Sequence, residues 1–282
     1  MRAGETLPFG RRTVGTRETI YRVRAGEKWQ ARVEAGLENL LGEDVWAYER
    51  TWSYFTVPAS ADYAPLRLTE VSSITAVQRG GDSTTIVAGD GGAAYLTHSA
   101  AQGFHVWHPF GTRALKQGQQ ITAISRAPNF IDAFTILDGR AHVAWWKRGV
   151  WQGWAPLPDH PFPDGGAIGA CTRNSDYMNI FAVDESGEVQ ESWWNANPWR
   201  PWKPVERSNS GFLPGSPIAA ACRNDDVNEF WLVDTNGDMR GCHWDGGWHW
   251  YSLAGPKFLP GSSVAAVAHP NGMRVAAVDD SG

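Results

Sequence analysis

The residues best placed to do chemistry recur at a fixed spacing. Four segments align end to end: AYLTHS from Ala94, AHVAWW from Ala141, VQESWW from Val189 and MRGCHW from Met239. Read as strands, whose side chains alternate between two faces, their third and fifth positions share one face. Those positions hold Leu96 and His98, Val143 and Trp145, Glu191 and Trp193, Gly241 and His243. A carboxylate beside an indole suits a saccharide, because the carboxylate accepts hydrogen bonds from hydroxyls while the ring packs on the C–H face of the sugar. Glu191 with Trp193 supplies both. The fourth positions, Thr97, Ala144, Ser192 and Cys242, are all small, as a tightly packed opposite face requires. The indoles serve equally well as wedges between neighbouring sheets, and both roles stay open from sequence.

A second register is basic. Arg79, Arg126, Arg173 and Arg223 each lie five residues beyond the start of a recurring segment, and His269 occupies that place in the last one. A guanidinium presents up to about five donors in a fixed fork. It fits sugar hydroxyls at a junction between sheets, and it fits loop carbonyls just as well.

Catalytic motifs do not appear. The chain has no GxSxG elbow, no HExxH and no phosphate loop. Asp184-Glu185 and Asp225-Asp226 fall in turns or beside them, where solvated acids are ordinary. The turns DESG, DTNG and DDSG lack the ligand count and spacing of a calcium loop. Cys171, Cys222 and Cys242 form no CxxC, which argues against a metal site and for small residues inside strands. No cofactor is expected and the protein reads as a non-enzyme.

These residues need elements to hold them. ITAISRAPNFIDAFTILDGRAHVAWWKRGVWQGWAP, from Ile121, reads as four short strands, with a tight hairpin turn at Asp138-Gly139. The unit recurs from Ile168, from Ile218 and, in part, from Val264; a weaker copy begins at Ile74. The starts at 74, 121, 168, 218 and 264 lie 47, 47, 50 and 46 residues apart. A period in the forties with four strands per repeat predicts an all-β fold, a β-propeller of four-stranded blades. The linkers 158–166, 207–217 and 255–263 are rich in Pro, Gly and Ser, and Phe212 and Phe258 are suited to anchor two of them.

Residues 1–44 lie outside the repeat. A basic arm to Arg24 precedes EKWQARVEAGLENLL, in which Trp29, Val33, Leu37, Leu40 and Leu41 predict one apolar stripe on a helix over Glu27–Leu41. Two roles fit it, a lid on the propeller or an adaptor to a protein partner. Residues 45–57 resemble the second half of a repeat, and the last repeat stops after two strands. Five blades follow, the last closed by the N-terminal strands within a propeller over 45–282; a fragment of a larger ring is the alternative. The formal charge of -5 gives no reason to expect nucleic acid, and no apolar run is long enough for membrane insertion. MRAGETLPFGRR lacks the apolar segment of a secretory signal, from which cytoplasmic synthesis is expected, with release or membership of an exported assembly left open. Sixteen Trp exceed what packing needs and point to partly exposed rings.

The units SRAPNFIDAFTILDGRAHVAWWKRGVWQGWAPL and CRNDDVNEFWLVDTNGDMRGCHWDGGWHWYSL resemble repeats of the fucose-binding β-propeller lectins of fungi and bacteria, over roughly residues 74–282. That resemblance implies a noncatalytic protein with sugar pockets between adjacent blades, and glycans, fucose or a related sugar, as partners. The family's pocket Glu in the third strand matches Glu191 alone. The Arg that some members carry on the second strand is replaced by Asp132, Asn179 and Asn228 or Glu229. Trp145, Trp193, Trp151, Trp199 and Trp248 match the aromatic walls. The candidate sugar-binding set is therefore Arg126, Trp145, Trp151, Arg173, Glu191, Trp193, Trp199, Arg223, His243 and Trp248. The rival reading is a structural or docking propeller, anchored to a larger assembly through residues 1–44.

Overall fold

A computed structural model of the chain describes the segments 28–32, 37–38, 44–45 and 52–56, and most of 71–277. Within that second range it omits 80–83, 91, 101–102, 105–107, 111–114, 117, 148–149, 197, 207–210, 225 and 270–271. The chain divides into two compact units, Met1–Leu66 and Arg67–Gly282.

In the first unit the expected helix is replaced by strand. Lys28–Arg32 pairs antiparallel with Trp52–Thr56, and Leu37–Glu38 pairs with Asp44–Val45. The spacing that suggested a helix is ambiguous: Trp29, Val33 and Leu37 are four apart, an even interval that also matches the two-residue period of a strand. Gly36 weighs further against a helix. The strand Trp52–Thr56, expected to complete the last blade, pairs with Lys28–Arg32. The basic arm over 1–24, the linker 59–69 and the final turn 279–282 lie outside the described residues.

The second unit is a β-propeller arrangement of consecutive antiparallel sheets. In blade 2, Thr122–Ala127, Phe130–Leu137, Arg140–Lys147 and Val150–Pro156 pair in sequence order. Blade 3 is Ile168–Asn174, Tyr177–Val183, Val189–Asn195 and Lys203–Pro204. Blade 4 is Ala219–Cys222, Asn228–Val233, Met239–Trp244 and Trp248–Ser252. Blade 1 is Val71–Gln78, Thr84–Asp90 and Ala93–Ala100, whose last strand pairs with both Gly103–Phe104 and His108–Phe110. Blade 5 shows Val264–His269 paired with Gly272–Ala277.

Local chemistry sets these elements. Asp138 and Gly139 both take positive φ, 51° and 74°, as a two-residue hairpin turn of matching twist demands. In the turns DESG and DTNG the aspartate does the shaping. The Asp184 carboxylate accepts from the N–H groups of Ser186 and Glu188, and Asp234 does the same with Asn236 and Asp238. Asp184 is thus buried rather than a solvated turn acid. Burial opposes its charge, yet the hydrogen bonds from Ser186, Glu188 and Gln190 hold its carboxyl below the usual range.

The core lies between blades. One apolar cluster joins blades 1 and 2 around Val87, Leu96, Ile131 and Ala133, and a second joins blades 2 and 3 around Phe134, Val143, Ile180 and Trp202. A third joins blades 3 and 4 around Phe181, Val183, Phe230 and Trp248. Thr97, Ala144, Ser192 and Cys242 are all buried, as small residues on a packed face should be. First strands of successive blades stand side by side and are stitched by hydroxyls: Thr75 Oγ1 donates to the Ile121 carbonyl at 3.1 Å and Thr122 Oγ1 to the Ile168 carbonyl at 2.5 Å. At the next junction the equivalent residue is Gly169. A Cβ there would sit 2.8 Å from the Ile218 carbonyl oxygen, so only glycine permits that approach. Phe212 is buried between blades 3 and 4, and Phe258 packs on blade 4, anchoring their linkers as expected.

Candidate functional site

Cross-strand register decides which side chains meet. In blade 2, Ile124, Asp132, Trp145 and Gln152 form one row across the sheet. The corresponding rows are Cys171, Asn179 and Trp193 in blade 3, and Ala221, Glu229, His243 and His249 in blade 4. Register therefore selects Glu229, not Asn228, as the counterpart of Asp132 and Asn179. The first-strand arginine stands just beyond each row and reaches back to it, six residues along the chain.

At the junction of blades 2 and 3 that reach closes an ion pair. Arg126 Nε donates to Asp132 Oδ2 at 2.9 Å, with the Asp132 side chain only 4% exposed. Burial pushes the Asp132 carboxyl upward, and Arg126 opposes that shift. The guanidinium also lies 4.1 Å from the Phe130 ring and 4.7 Å from Trp194 of the next blade, and Arg126 Nη1 donates to the Ser175 carbonyl at 3.2 Å. The loop-capping role of the arginine is realised here. Trp145 is half-buried against the same cluster, and Trp199 meets Phe134 edge-on at 5.8 Å. The third-strand position that carries Glu in blade 3 is filled by buried Val143.

The junction of blades 4 and 5 is closed in another way. Arg223 Nη2 donates to both oxygens of Glu229, at 2.7 and 2.8 Å. Gly241 occupies the Glu position, and a Cβ there would collide with the Tyr251 ring at 2.4 Å. Tyr251 fills that space and accepts from Trp231 Nε1 at 2.9 Å. His243 is half-buried and stacks on His249, with Asp245 between them in charge at 3.8 and 3.0 Å.

Between blades 3 and 4 the arrangement is open. Glu191 is 5% exposed; its Oε1 accepts from Asn179 Nδ2 at 2.8 Å and its Oε2 lies 3.6 Å from Lys203 Nζ. Burial pushes the Glu191 carboxyl up, against the pull of Lys203, Asn179 and Arg173. Trp193, half-buried, has Lys203 Nζ 4.5 Å from its ring. Arg173 rests 3.7 Å from Tyr177 and 5.2 Å from Trp244 of blade 4. It has Asn179 where Arg126 and Arg223 have an acid, and no hydrogen bond or ion pair joins the two. Arg173 Nε and Asn179 Oδ1 are both buried without a partner. A donor and an acceptor left unsatisfied in one junction are costly unless a ligand or water serves them. Trp248 is buried and meets Phe181 edge-on at 5.7 Å, so it belongs to the wall behind the junction rather than to its rim.

The sequence-derived candidates thus divide by junction. Arg173, Glu191, Trp193 and Trp248 come together between blades 3 and 4; Arg126, Trp145 and Trp199 between 2 and 3. Arg223 and His243 belong to the junction after blade 4. Trp151 faces blade 1, stacked on Phe110 at 4.1 Å. The aromatic partners of the arginines are the sixth residues of the aligned third-strand segments, Trp146, Trp194 and Trp244, with Arg79 lying 5.0 Å from the Trp146 ring. Sequence reasoning passed over them, although an indole at that position in three successive repeats was the available signal. A cleft of about 460 Å³ opens at the opposite, hairpin end of blades 2 and 3, lined by Asp138, Arg140, Asp159, His160, Phe162 and Glu185. Arg140 is paired there with Asp159 at 3.1 Å, and His160 Nε2 lies 3.5 Å from Asp184.

No protein-family profile and no curated protein matches the chain. Solved structures do. BP39L lectin from Burkholderia pseudomallei aligns with a TM-score of 0.65 at 21% identity, over 84% of this chain and 71% of its own. SapL1 lectin, solved in complex with alpha methyl fucoside, gives 0.59 at 19% identity, over 73% of this chain and 71% of its own. The fungal lectin of Aleuria aurantia, a six-bladed β-propeller with a novel fucose recognition mode, gives 0.53 at 14%, over 91% and 93%. At these identities the likeness is one of fold: the chain has the β-propeller architecture of these lectins.

Proposed function

We propose that the protein is a noncatalytic carbohydrate-binding propeller that takes a glycan at the junction of blades 3 and 4. The observation that carries this reading is the unsatisfied pair there, Arg173 Nε and Asn179 Oδ1, beside the Glu191 carboxylate and the Trp193 ring. A hydroxyl is both donor and acceptor, which is the chemistry the two orphaned atoms call for. Trp193 offers a face for the sugar's C–H groups. The lectin neighbours share the fold, and their fucose ligands make fucose and related sugars the first probes.

The test is a calorimetric titration with a panel of monosaccharides, run beside thermal unfolding. Trp193→Ala is expected to abolish or strongly weaken binding while the protein stays folded. Glu191→Gln weakens a charge-assisted hydrogen bond to hydroxyl; losing one costs about 1.5–3 kcal/mol, roughly ten- to hundredfold in affinity. If Trp193→Ala melts the protein while Glu191→Gln leaves binding untouched, the ring is core and the site is elsewhere.

A further inference from the structure

Resting on that glycan-binding reading, we infer that the junction of blades 3 and 4 selects an acidic saccharide, one carrying a carboxylate such as a uronic acid. The ground is a charge balance that differs between junctions. Between blades 2 and 3, Arg126 is matched by Asp132; after blade 4, Arg223 is matched by Glu229. Between blades 3 and 4, Asn179 stands in place of the acid; Arg173 keeps its ring contacts and acts on Glu191 through charge, with no hydrogen bond or ion pair. Lys203 adds a second cation, and Glu191 is the one carboxylate that faces them among the described residues. Two cations against one acid leave a positive charge for the ligand to neutralise.

Geometry adds to the charge. Cation–π contacts to Tyr177 at 3.7 Å and Trp244 at 5.2 Å position the Arg173 guanidinium, whose planar fork carries its donors in fixed directions. A planar fork of this kind is matched by a carboxylate, which accepts two parallel N–H bonds. The counterpart Arg223 already holds a carboxylate, its Nη2 donating to both oxygens of Glu229. The ligand carboxylate would take at Arg173 the place that the second-strand acid takes in the neighbouring blades. A sugar hydroxyl reaches Asn179 Oδ1, and the pyranose ring lies against Trp193.

Pairs of methyl glycosides that differ only at C6, glucuronate against glucose and galacturonate against galactose, separate this from the broader reading. Titrated into the intact protein at neutral pH, at least one uronate is expected to bind ten- to hundredfold tighter than its neutral partner. Raising the salt concentration should narrow the gap, because the distinguishing contact is ionic. Arg173→Gln should erase the gap, lowering the affinity of the uronate more than that of its neutral partner, which loses only a hydroxyl contact. Arg173→Lys, which keeps the charge but loses the planar fork, should retain only part of it, and supplies the same readout if the Gln variant does not fold. Neutral sugars binding as tightly as their uronates would overturn the acidic preference and leave the lectin reading standing. Uronate preference that survives Arg173→Gln would place the anion at another cation and overturn the assignment. Failure of every sugar in both series, with the protein folded, would remove the glycan-binding reading itself, and this inference with it.

Discussion

Arg126 and Arg173, at one repeat position, meet different fates, and their substitutions should differ accordingly. Arg126→Ala strands the buried Asp132 carboxylate without its partner, which typically costs about 3–5 kcal/mol. Arg173→Ala breaks no ion pair and should cost far less, about the value of its ring contacts, ~1 kcal/mol. Urea unfolding of both variants beside the parent measures the difference. Glu191 makes a separate prediction through pH. Its carboxyl is raised in the folded state, so between the unfolded and folded values the native protein binds more protons than the unfolded chain. Stability assignable to Glu191 therefore falls as pH rises through that window and is flat beyond it. Glu191→Gln, blind to this titration, should gain on the parent across the same rise; unfolding midpoints at a series of pH values that run parallel for the two proteins would contradict it.

Among elements, the third strand decides whether a junction is open or filled. Val143, Glu191 and Gly241 hold the same position, and Gly241 exists in its place because Tyr251 lies against it from the fourth strand. Gly241→Ala forces that ring away and should destabilise by about 1–3 kcal/mol as an overpacking change. Combining it with Tyr251→Leu should recover part of the loss, a coupling that a double-mutant cycle reads directly. Much of this was legible in the sequence: the repeat starts, the Asp138-Gly139 turn, the small fourth positions and the repeated arginine all follow from spacing. The pairing of Arg126 with Asp132 was not. It spans a turn and a register shift between Ile124 and Ala127, and that shift determines which second-strand residue comes within reach. The Glu27–Leu41 helix failed for the opposite reason, since an interval of four residues satisfies two periodicities at once.

At the scale of the whole second unit, burial is uneven along the chain. The second strands of the middle blades are covered on both faces: Phe130–Leu137 and Asn228–Val233 are buried nearly throughout. Blade 5 packs Val264, Ala266, Met273 and Val275 on blade 4 and leaves Ala265, Val267 and Arg274 exposed. Hydrogen exchange should follow this order, with the slowest amides in the second strands of blades 2–4 and distinctly faster exchange in Val264–Ala277. Uniform protection from blade 2 through blade 5 would show that blade 5 is covered in solution.

On the glycan-binding reading proposed above, the filling of neighbouring junctions by Val143 and Tyr251 bears on valency. A propeller with equivalent sockets around its axis grips a cell surface many times over and cross-links one cell to another, because each linked contact raises the effective concentration of the next. Among the described junctions one alone joins a third-strand carboxylate to an indole, at Glu191 and Trp193. Titration is then expected to give one site per chain from these junctions, and red cells or glycan-coated beads to be decorated by the protein without being clumped.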